Sequence, residues 1–296
     1  MGVPDIPTAG RQADTDGLVL ECGSYRLDFS GRTHLMGILN VTPDSFSDGG
    51  MFFDQAHAVD HARRMADEGA DVIDIGGEST RPGAPPVSPE EERRRVLPVI
   101  ERLSGLLRIP LSIDTTKAAI AEDAVRAGAV IINDVSALRS DPEMAALAAR
   151  CGAAVVLMHM RGTPRTMQQR VVYGAMIPEI HDFFRERIAC ARAAGIDDRR
   201  IMIDPGIGFG KSVPEGNLAL LKHLGSFASL KKPLLVGPSR KAFIGAVLGS
   251  GAEEREAGTA AAVAIAVANG ASMVRVHNVR MMKRVVAVAD AIMAAG

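Results

Sequence analysis

The sequence predicts an α/β protein, a (β/α)8 barrel of the TIM type preceded by an N-terminal β-hairpin. Eight short apolar runs alternate with segments of helical composition along the 296 residues. The runs have few polar faces, as expected of parallel strands that are covered on both sides. Polar side chains appear mainly where the runs end, and a barrel builds its active site from the carboxyl ends of many strands. An open, doubly wound sheet would instead concentrate its site at one switch point.

Each element follows from local composition. Residues 1–16 form a polar tail that is expected to be disordered or loosely held, and residues 18–29 alternate as a hairpin with its turn at Gly23 and Ser24. We expect this hairpin to close the barrel floor. The predicted strands are residues 35–40, 71–75, 111–114, 130–134, 154–159, 201–204, 234–236 and 273–277. The helical segments include residues 56–68, 89–107, 117–127, 142–150, 177–194 and 280–294. No linker interrupts residues 17–296, which are predicted to form a single domain.

Composition excludes several classes of protein. Lys and Arg total 34 against 35 Asp and Glu, so no global field attracts nucleic acid or anionic lipid. The three cysteines are unclustered, which suits a reducing compartment, and the first 17 residues contain no signal-peptide core. The uncharged stretch 257–274 is interpreted as a buried helix followed by a strand, because Asn269 and Gly270 interrupt it. We therefore expect a cytoplasmic protein without a membrane or nucleic-acid partner.

A glycine-rich segment, residues 206–212, is similar to phosphate-binding loops but matches none of them. Pro205 stands where the Walker A loop requires glycine, and Lys211 stands where the dinucleotide fingerprint requires its third glycine. The segment is therefore interpreted as a turn-rich loop whose glycines let a ligand approach the backbone closely. Asp204 and Phe209 flank that approach.

Neither a metal cluster nor a nucleophile is evident. His57 and His61 lie one turn apart on the first predicted helix, far from any strand end, and are expected to be solvated or packed. The nucleophile elbow G-x-S-x-G is absent, and each cysteine lies in the N-terminal segment or at a helix. A covalent mechanism is therefore not expected.

The acceptor groups Asp114, Asn133 and Asp204 each end a different predicted strand. Because a carboxylate only accepts hydrogen bonds, the three together suit a flat ligand that is rich in N–H donors. For any one of them, a self-satisfied internal hydrogen-bond network is an equally good explanation.

The cationic groups are expected nearer the mouth. Arg275 and His277 lie two residues apart on one strand, so both project to the same face. With Arg81 and Lys241 they form a predicted cationic rim, and barrels commonly bind phosphate near strands seven and eight. The residues alone predict a barrel that binds a planar nitrogen heterocycle deeply and a phosphate group near its mouth.

Seven strings in this order resemble the dihydropteroate synthase family of pterin-binding, folate-pathway transferases, the target of sulfonamides. They are GILNVTPDSFSDGG at 37–50, GGESTRPG at 76–83, SIDT at 112–115, INDV at 132–135, DPG at 204–206, SRK at 239–241 and RVH at 275–277. The resemblance runs from about residue 17 to the C-terminus. It implies that 4-aminobenzoate displaces diphosphate from (7,8-dihydropterin-6-yl)methyl diphosphate to give 7,8-dihydropteroate.

The resemblance also implies a role for individual residues. The pterin would be held by Asp114, Asn133, Asp204 and Lys241, with Met158, Gly208 and Phe209 beside it. Arg81, Arg275 and His277 would grip the diphosphate, and Asn40 would bind Mg²⁺. Thr80, Pro82, Ser239 and Phe46 would meet 4-aminobenzoate, with Phe46 on a mobile lid for which a surface loop is the alternative interpretation. The catalytic set would be Lys241, Asp204, Arg275 and His277, in a homodimer packed through helices.

Two alternatives share the pterin-binding barrel. A methyltetrahydrofolate-dependent methyltransferase would need the pterin acceptors but not Arg81 or the string at 239–241. A pterin-binding paralogue without turnover would be expected to lack part of the diphosphate grip or the lid. One departure from the family pattern is Asn278, which follows His277 where the family usually has Asp.

Overall fold

The computed structural model describes residues 17–42, 51–79, 83–163, 165–167, 171–249, 251 and 254–295. A two-stranded antiparallel hairpin, β1 and β2, precedes an eight-stranded parallel sheet in the order β8-β7-β6-β5-β4-β3-β10-β9. A parallel bridge between Ile203 and Leu234 joins the two outer strands and closes the sheet into a barrel. The strands are β1 Val19–Cys22, β2 Tyr25–Asp28, β3 His34–Asn40, β4 Val72–Gly76, β5 Leu111–Asp114, β6 Ile131–Asp134, β7 Ala154–Met158, β8 Ile201–Asp204, β9 Leu235–Val236 and β10 Met273–Val276. The predicted barrel and hairpin are confirmed.

Helices cover the outside of the barrel. They are α1 Met51–Asp67, α2 Pro89–Ser104, α3 Ala118–Ala127, α4 Met144–Cys151, α5 Met176–Ala193, α6 Ala219–Lys222, α7 Ala242–Leu248, α8 Glu256–Ala268 and α9 Val279–Ala294. The segment predicted at 89–107 ends at Ser104, because the chain turns at Gly105, whose N–H bonds to the Leu103 carbonyl. The uncharged stretch divides into α8 and β10, as predicted. Within the described ranges, no helix has the length and apolar character that a bilayer crossing requires.

The hairpin closes the amino end of the barrel, as predicted. Its buried side chains pack with inward-facing residues from the starts of the barrel strands in one apolar cluster: Leu20, Cys22, Leu27, Phe29, Met36, Val72, Ile131, Ala154, Val156, Met202, Leu235 and Met273. Burial of each large apolar side chain stabilises the fold by about 1.5–3 kcal/mol. The turn needs Gly23, because its φ is +58° and a Cβ there would lie 2.7 Å from Cγ1 of Val130. Because apolar side chains fill the amino end of the barrel, a polar site can form only at its carboxyl end.

Candidate active site

The predicted acceptor groups come together at the carboxyl end of the barrel. Asp114 and Asp204 are the last residues of β5 and β8, Asn133 is the last but one of β6, and all three are buried. Asp114 is the register partner of Asn133 across β5 and β6, so their side chains start from adjacent positions. Strands that end in a polar residue thus supply one carboxylate or amide each to the inside of the barrel mouth.

Arg275 lies deeper than the predicted cationic rim. Its Nε is 2.6 Å from Oδ2 of Asp74, and its Nη2 is 2.9 Å from Oδ2 of Asp114. Burial alone would lower the pKa of Arg275, but the two carboxylates outweigh burial and hold that pKa above its usual value. The guanidinium is drawn inside the barrel because two buried carboxylates require a positive partner.

Asp74 is the site residue that the sequence reasoning missed. It lies inside β4, is fully buried, and its Oδ2 also accepts a hydrogen bond of 2.9 Å from Nδ2 of Asn133. Its Oδ1 has no hydrogen-bond partner among the described residues. Asp74 therefore orients both Asn133 and Arg275. The available signal was its charge within an otherwise apolar strand, since a fully buried aspartate is rare unless it is paired.

Burial shifts the ionisation of the two carboxyls at the strand ends toward neutral pH. It raises the pKa of Asp114 to about 7, an effect that Arg275 opposes and nearby Asp74 reinforces. It raises the pKa of Asp204 to about 6, against a hydrogen bond of 2.7 Å from the Gly206 N–H. A ligand that donates N–H groups to these carboxyls would favour their ionised form, which burial disfavours.

The glycine-rich loop after β8 forms the wall of the site beside Lys241. The Lys241 ammonium lies 4.1 Å from the ring centre of Phe209, a cation–π contact, and burial lowers the pKa of Lys241 to about 8. Gly208 has a φ of +85°, which favours glycine, and a Cβ there would lie 3.1 Å from Cδ of Lys241, so glycine leaves room for the lysine side chain. Met158 and Phe209 share a buried apolar cluster with Val135, Met160 and Met167. A flat ring bound here would meet carboxylates at its edge and apolar atoms beside it.

Ser239 and His277 are directly joined. The Ser239 Oγ lies 2.9 Å from Nδ1 of His277 and accepts a 3.3 Å hydrogen bond from the His277 backbone N–H. Because Oγ accepts from that N–H, its own proton is available for Nδ1, which favours the neutral tautomer protonated at Nε2. Ser239, which is predicted to contact 4-aminobenzoate, therefore also orients His277, which is predicted to bind diphosphate.

Arg240, between Ser239 and Lys241, has a left-handed φ of 55°. Its backbone N–H donates to Oγ1 of Thr259 over 3.1 Å, and Nη1 of Arg255 donates to its carbonyl over 3.1 Å. These two contacts from the start of α8 hold a conformation that a non-glycine residue rarely adopts.

Asn40 ends β3 close to Asp114. Oδ1 of Asn40 and Oδ2 of Asp114 lie 3.9 and 3.7 Å from the position that a Cβ on Gly76 would occupy, so the two oxygens border one space. In the described part of the chain, no three His, Cys, Asp or Glu side chains form a metal cluster. Mg²⁺ commonly binds through one or two protein oxygens plus phosphate and water, so this donor set fits it.

Four predicted residues, Phe46, Thr80, Arg81 and Pro82, lie outside the described residues. The chain just before residue 80 is anchored by ion pairs of Lys117 with Glu78 and Glu92, and by a 2.8 Å hydrogen bond from Arg95 to the Gly77 carbonyl.

Asn278 is the N-cap of α9, and its Oδ1 accepts a 3.1 Å hydrogen bond from the Met281 N–H. Asparagine caps a helix about as well as the aspartate that is usual here, so this departure preserves the turn after His277.

Comparisons with known proteins all point to one family. The family model described as "Pterin binding enzyme" matches residues 36–277. The dihydropteroate synthase of Synechocystis is 48% identical over 274 residues, covering 92% of this chain and 94% of that protein. The Bacillus subtilis dihydropteroate synthase is 46% identical over 270 residues, covering 91% and 92%.

Solved structures match over nearly the whole chain. The Yersinia pestis dihydropteroate synthase in a sulfonamide complex has a TM-score of 0.88 at 42% identity, covering 94% of this chain and 100% of that one. The Xanthomonas albilineans dihydropteroate synthase with 4-aminobenzoic acid has a TM-score of 0.88 at 47% identity, covering 94% and 99%. The same enzyme with 7,8-dihydropteroate has a TM-score of 0.84 at 45% identity, covering 94% and 100%.

Proposed function

This chain belongs to the pterin binding enzymes, and we propose that it is a transferase that makes 7,8-dihydropteroate. In this reaction 4-aminobenzoate displaces diphosphate from (7,8-dihydropterin-6-yl)methyl diphosphate. The observation that carries the proposal is the convergence of Asp114, Asn133, Asp204, Lys241 and Arg275 on one barrel mouth. The relatives and structures named above support the same reaction.

The pterin is bound at the bottom of the mouth. The carboxylates of Asp114 and Asp204 accept from the ring N–H and amino groups, and Asn133, held by Asp74, supplies an amide. Lys241 donates to a ring acceptor, while Met158, Gly208 and Phe209 line the ring. A ligand that lacks the hydrogen-bonding groups of the pterin edge would leave these buried polar groups without partners. Binding is therefore specific for a pterin.

The departure of diphosphate is assisted by groups that stabilise the negative charge on its leaving oxygens. No protein nucleophile takes part. The Arg275 guanidinium and the Nε2–H of His277 donate to the leaving oxygens, with Arg81 as a third donor from the chain outside the described residues. Loss of one well-placed donor of this kind typically raises the barrier by roughly 3 kcal/mol. The carbon left behind is a stabilised pterin cation, so a dissociative route is favoured, and the Asp204 carboxylate stabilises that cation.

Asn40 would hold Mg²⁺ through its side-chain oxygen, and Mg²⁺, when bound, neutralises charge on the diphosphate oxygens. The protein's own part is to present that oxygen beside Asp114 at the end of β3.

The second substrate binds above the pterin. Ser239 contacts 4-aminobenzoate, and Thr80, Pro82 and Phe46 complete its pocket from the chain outside the described residues. Sulfonamides would compete at this pocket.

The working form is a cytoplasmic homodimer formed through α8 and α9. These helices expose apolar side chains on neighbouring faces, including Ile265, Val288, Ile292 and Met293, with Val288 61% and Ile292 66% exposed. A monomer rarely leaves such a patch in water, and a second copy of the same face would cover it. The cysteines, all free, suit a reducing compartment.

Incubation of the purified protein with Mg²⁺, the pterin diphosphate and 4-aminobenzoate tests the function. We expect dihydropteroate and diphosphate in equal amounts, and neither when 4-aminobenzoate is omitted. Pterin binding without product would indicate a paralogue without turnover. Methyl transfer from methyltetrahydrofolate would indicate the other alternative.

A further inference from the structure

Lys211 is a buried cation to which no role has been assigned. It ends the glycine-rich loop, and only 2% of its surface is exposed. Its Nζ donates to the carbonyls of Phe209 at 3.0 Å and His159 at 3.3 Å, and lies 3.1 Å from Nδ1 of His159. These contacts match the three N–H donors of an ammonium group with three acceptors. They join the loop to the end of β7.

None of those three acceptors carries a charge. Burial, followed by the charge of Lys211, holds the pKa of His159 far below its usual value, so the imidazole is a neutral acceptor. A buried ammonium without a counter-charge is costly, and burial lowers the pKa of Lys211 to about 7. The carboxylate that faces it is Asp204, whose pKa is about 6, so Lys211 carries its charge over the pH range in which Asp204 titrates. The other cation facing Lys211 is Lys241, and Arg139 and Arg161 face His159.

Lys211 and Asp204 meet across one peptide unit. The Gly206 N–H donates to Oδ1 of Asp204 over 2.7 Å, and a Cβ on Gly206 would lie 3.3 Å from Nζ of Lys211. That Cβ would also lie 2.0 Å from the His159 carbonyl, so the loop turns against β7 only because residue 206 is glycine. The Lys211 ammonium therefore sits behind the peptide that caps the Asp204 carboxylate.

A second contact fixes the same loop. Nδ2 of Asn217 donates to the Lys211 carbonyl over 3.0 Å, while its Oδ1 accepts from the Gly208 N–H over 2.5 Å. The backbone at Gly208 and Phe209 is thus clamped between Asn217 and the Lys211 side chain.

We propose that Lys211 is a positioning residue of the pterin site: it clamps the loop that carries Phe209 and adds its positive charge to those of Lys241 and Arg275, which also face the Asp204 carboxylate. The inference rests on the proposed pterin function and adds a residue to it. Lys211 acts through Phe209 and Asp204 and does not itself touch the substrate.

Two substitutions distinguish the hydrogen-bonding role of Lys211 from the role of its positive charge. Lys211→Met removes both, whereas Lys211→Gln keeps two N–H donors and removes the charge. Lys232→Met is the matched control, because Lys232 is also buried, at 5% exposure, and donates to the Asp198 carbonyl over 2.8 Å before β8, at the floor end of the barrel. Unfolding temperatures are measured first, and Lys211→Gln carries the test where Lys211→Met does not fold.

We expect Lys211→Met to raise KM for the pterin diphosphate about tenfold, with KM for 4-aminobenzoate nearly unchanged. In both Lys211 variants the acidic limb of kcat/KM for the pterin diphosphate should move up by about one pH unit, because Asp204 then ionises at higher pH. Lys232→Met should lose stability and keep wild-type kinetics. Wild-type KM values and an unmoved acidic limb in folded Lys211 variants would overturn the proposal, and a raised KM with an unmoved limb would overturn the electrostatic part.

Failure of the proposed function would be distinguishable, because it would show in the wild-type protein as absence of dihydropteroate. Direct titration with the free pterin at several pH values would then test Lys211 independently of turnover.

Discussion

Substitution of Asp74 by asparagine removes one negative charge from the centre of the site and leaves its shape nearly unchanged. Asp74 has 0% exposure, and the Arg275 side chain that it pairs with at 2.6 Å has 19%. Removing one partner from such a buried pair typically costs about 3–5 kcal/mol, because the other charge stays buried without compensation.

Two features of the site reduce that cost. Arg275 keeps its 2.9 Å contact with Asp114, and an amide oxygen in the place of Oδ2 can still accept from both Asn133 and Arg275. We therefore expect Asp74→Asn to lower the free energy of unfolding by about 2–3 kcal/mol. For a chain of 296 residues, whose entropy of unfolding near Tm is about 0.6 kcal/mol/K, that corresponds to a decrease of roughly 3–5 °C in Tm. Asn133 and Arg275 both donate to Oδ2 of Asp74, and a neutral amide oxygen in that position is a weaker acceptor for both, so the two side chains are held less firmly and KM for the pterin diphosphate should rise about tenfold or more.

Thermal unfolding, urea unfolding and steady-state kinetics measure these effects. Asp71→Asn is the matched control, because Asp71 also pairs with an arginine, Arg32, just before the same strand but at the floor end. The control should lose stability and keep wild-type KM. If Asp74→Asn matched the wild-type protein in both Tm and KM, the claim that Asp74 orients Asn133 and Arg275 would be refuted.

Further predictions concern the remaining groups of the site. Asp204→Ala and Lys241→Ala should abolish pterin binding by calorimetry with unchanged far-UV circular dichroism; normal titration would contradict their assignment. Arg275→Ala should weaken inhibition by diphosphate much more than inhibition by a pterin without phosphates, and equal losses would remove its phosphate role. Pterin affinity should fall below about pH 6–7, as Asp204 and Asp114 take up protons, and above about pH 8, as Lys241 loses one; a flat profile from pH 5 to 9 would contradict these shifts. Val288→Asp should produce a monomer in analytical ultracentrifugation, whereas an unchanged sedimentation coefficient would exclude α9 from the interface.

The fold was predictable because strand ends are marked in the sequence by a change from apolar to polar residues. That change locates Asp114, Asn133 and Asp204 within their strands, at the positions where the structure has them. The same criterion misses Asp74, because Asp74 lies inside β4 and not at its end. Its role depends on Arg275, which is about two hundred residues away in sequence.

Side-chain depth was not predictable from the strand pattern. Arg275 was expected at the rim with His277, because alternation along a strand gives the face and not the reach of a long side chain. In the sequence, Lys211 belongs to a segment that is similar to phosphate-binding loops but matches none of them. Its burial follows from the turn at Gly206 against β7, a contact between segments that local sequence does not specify.

The apolar cluster beneath the barrel has a kinetic consequence: among the described residues it fills the amino end, so substrates reach the pterin site from the carboxyl end. A ligand at the bottom of the mouth has to enter before a ligand that binds above it, and leaves after it. Because the proposed 4-aminobenzoate pocket lies above the proposed pterin site, we expect the pterin diphosphate to bind first and bound 4-aminobenzoate to block its entry. Initial-rate patterns should accordingly be those of an obligatory order rather than a random one.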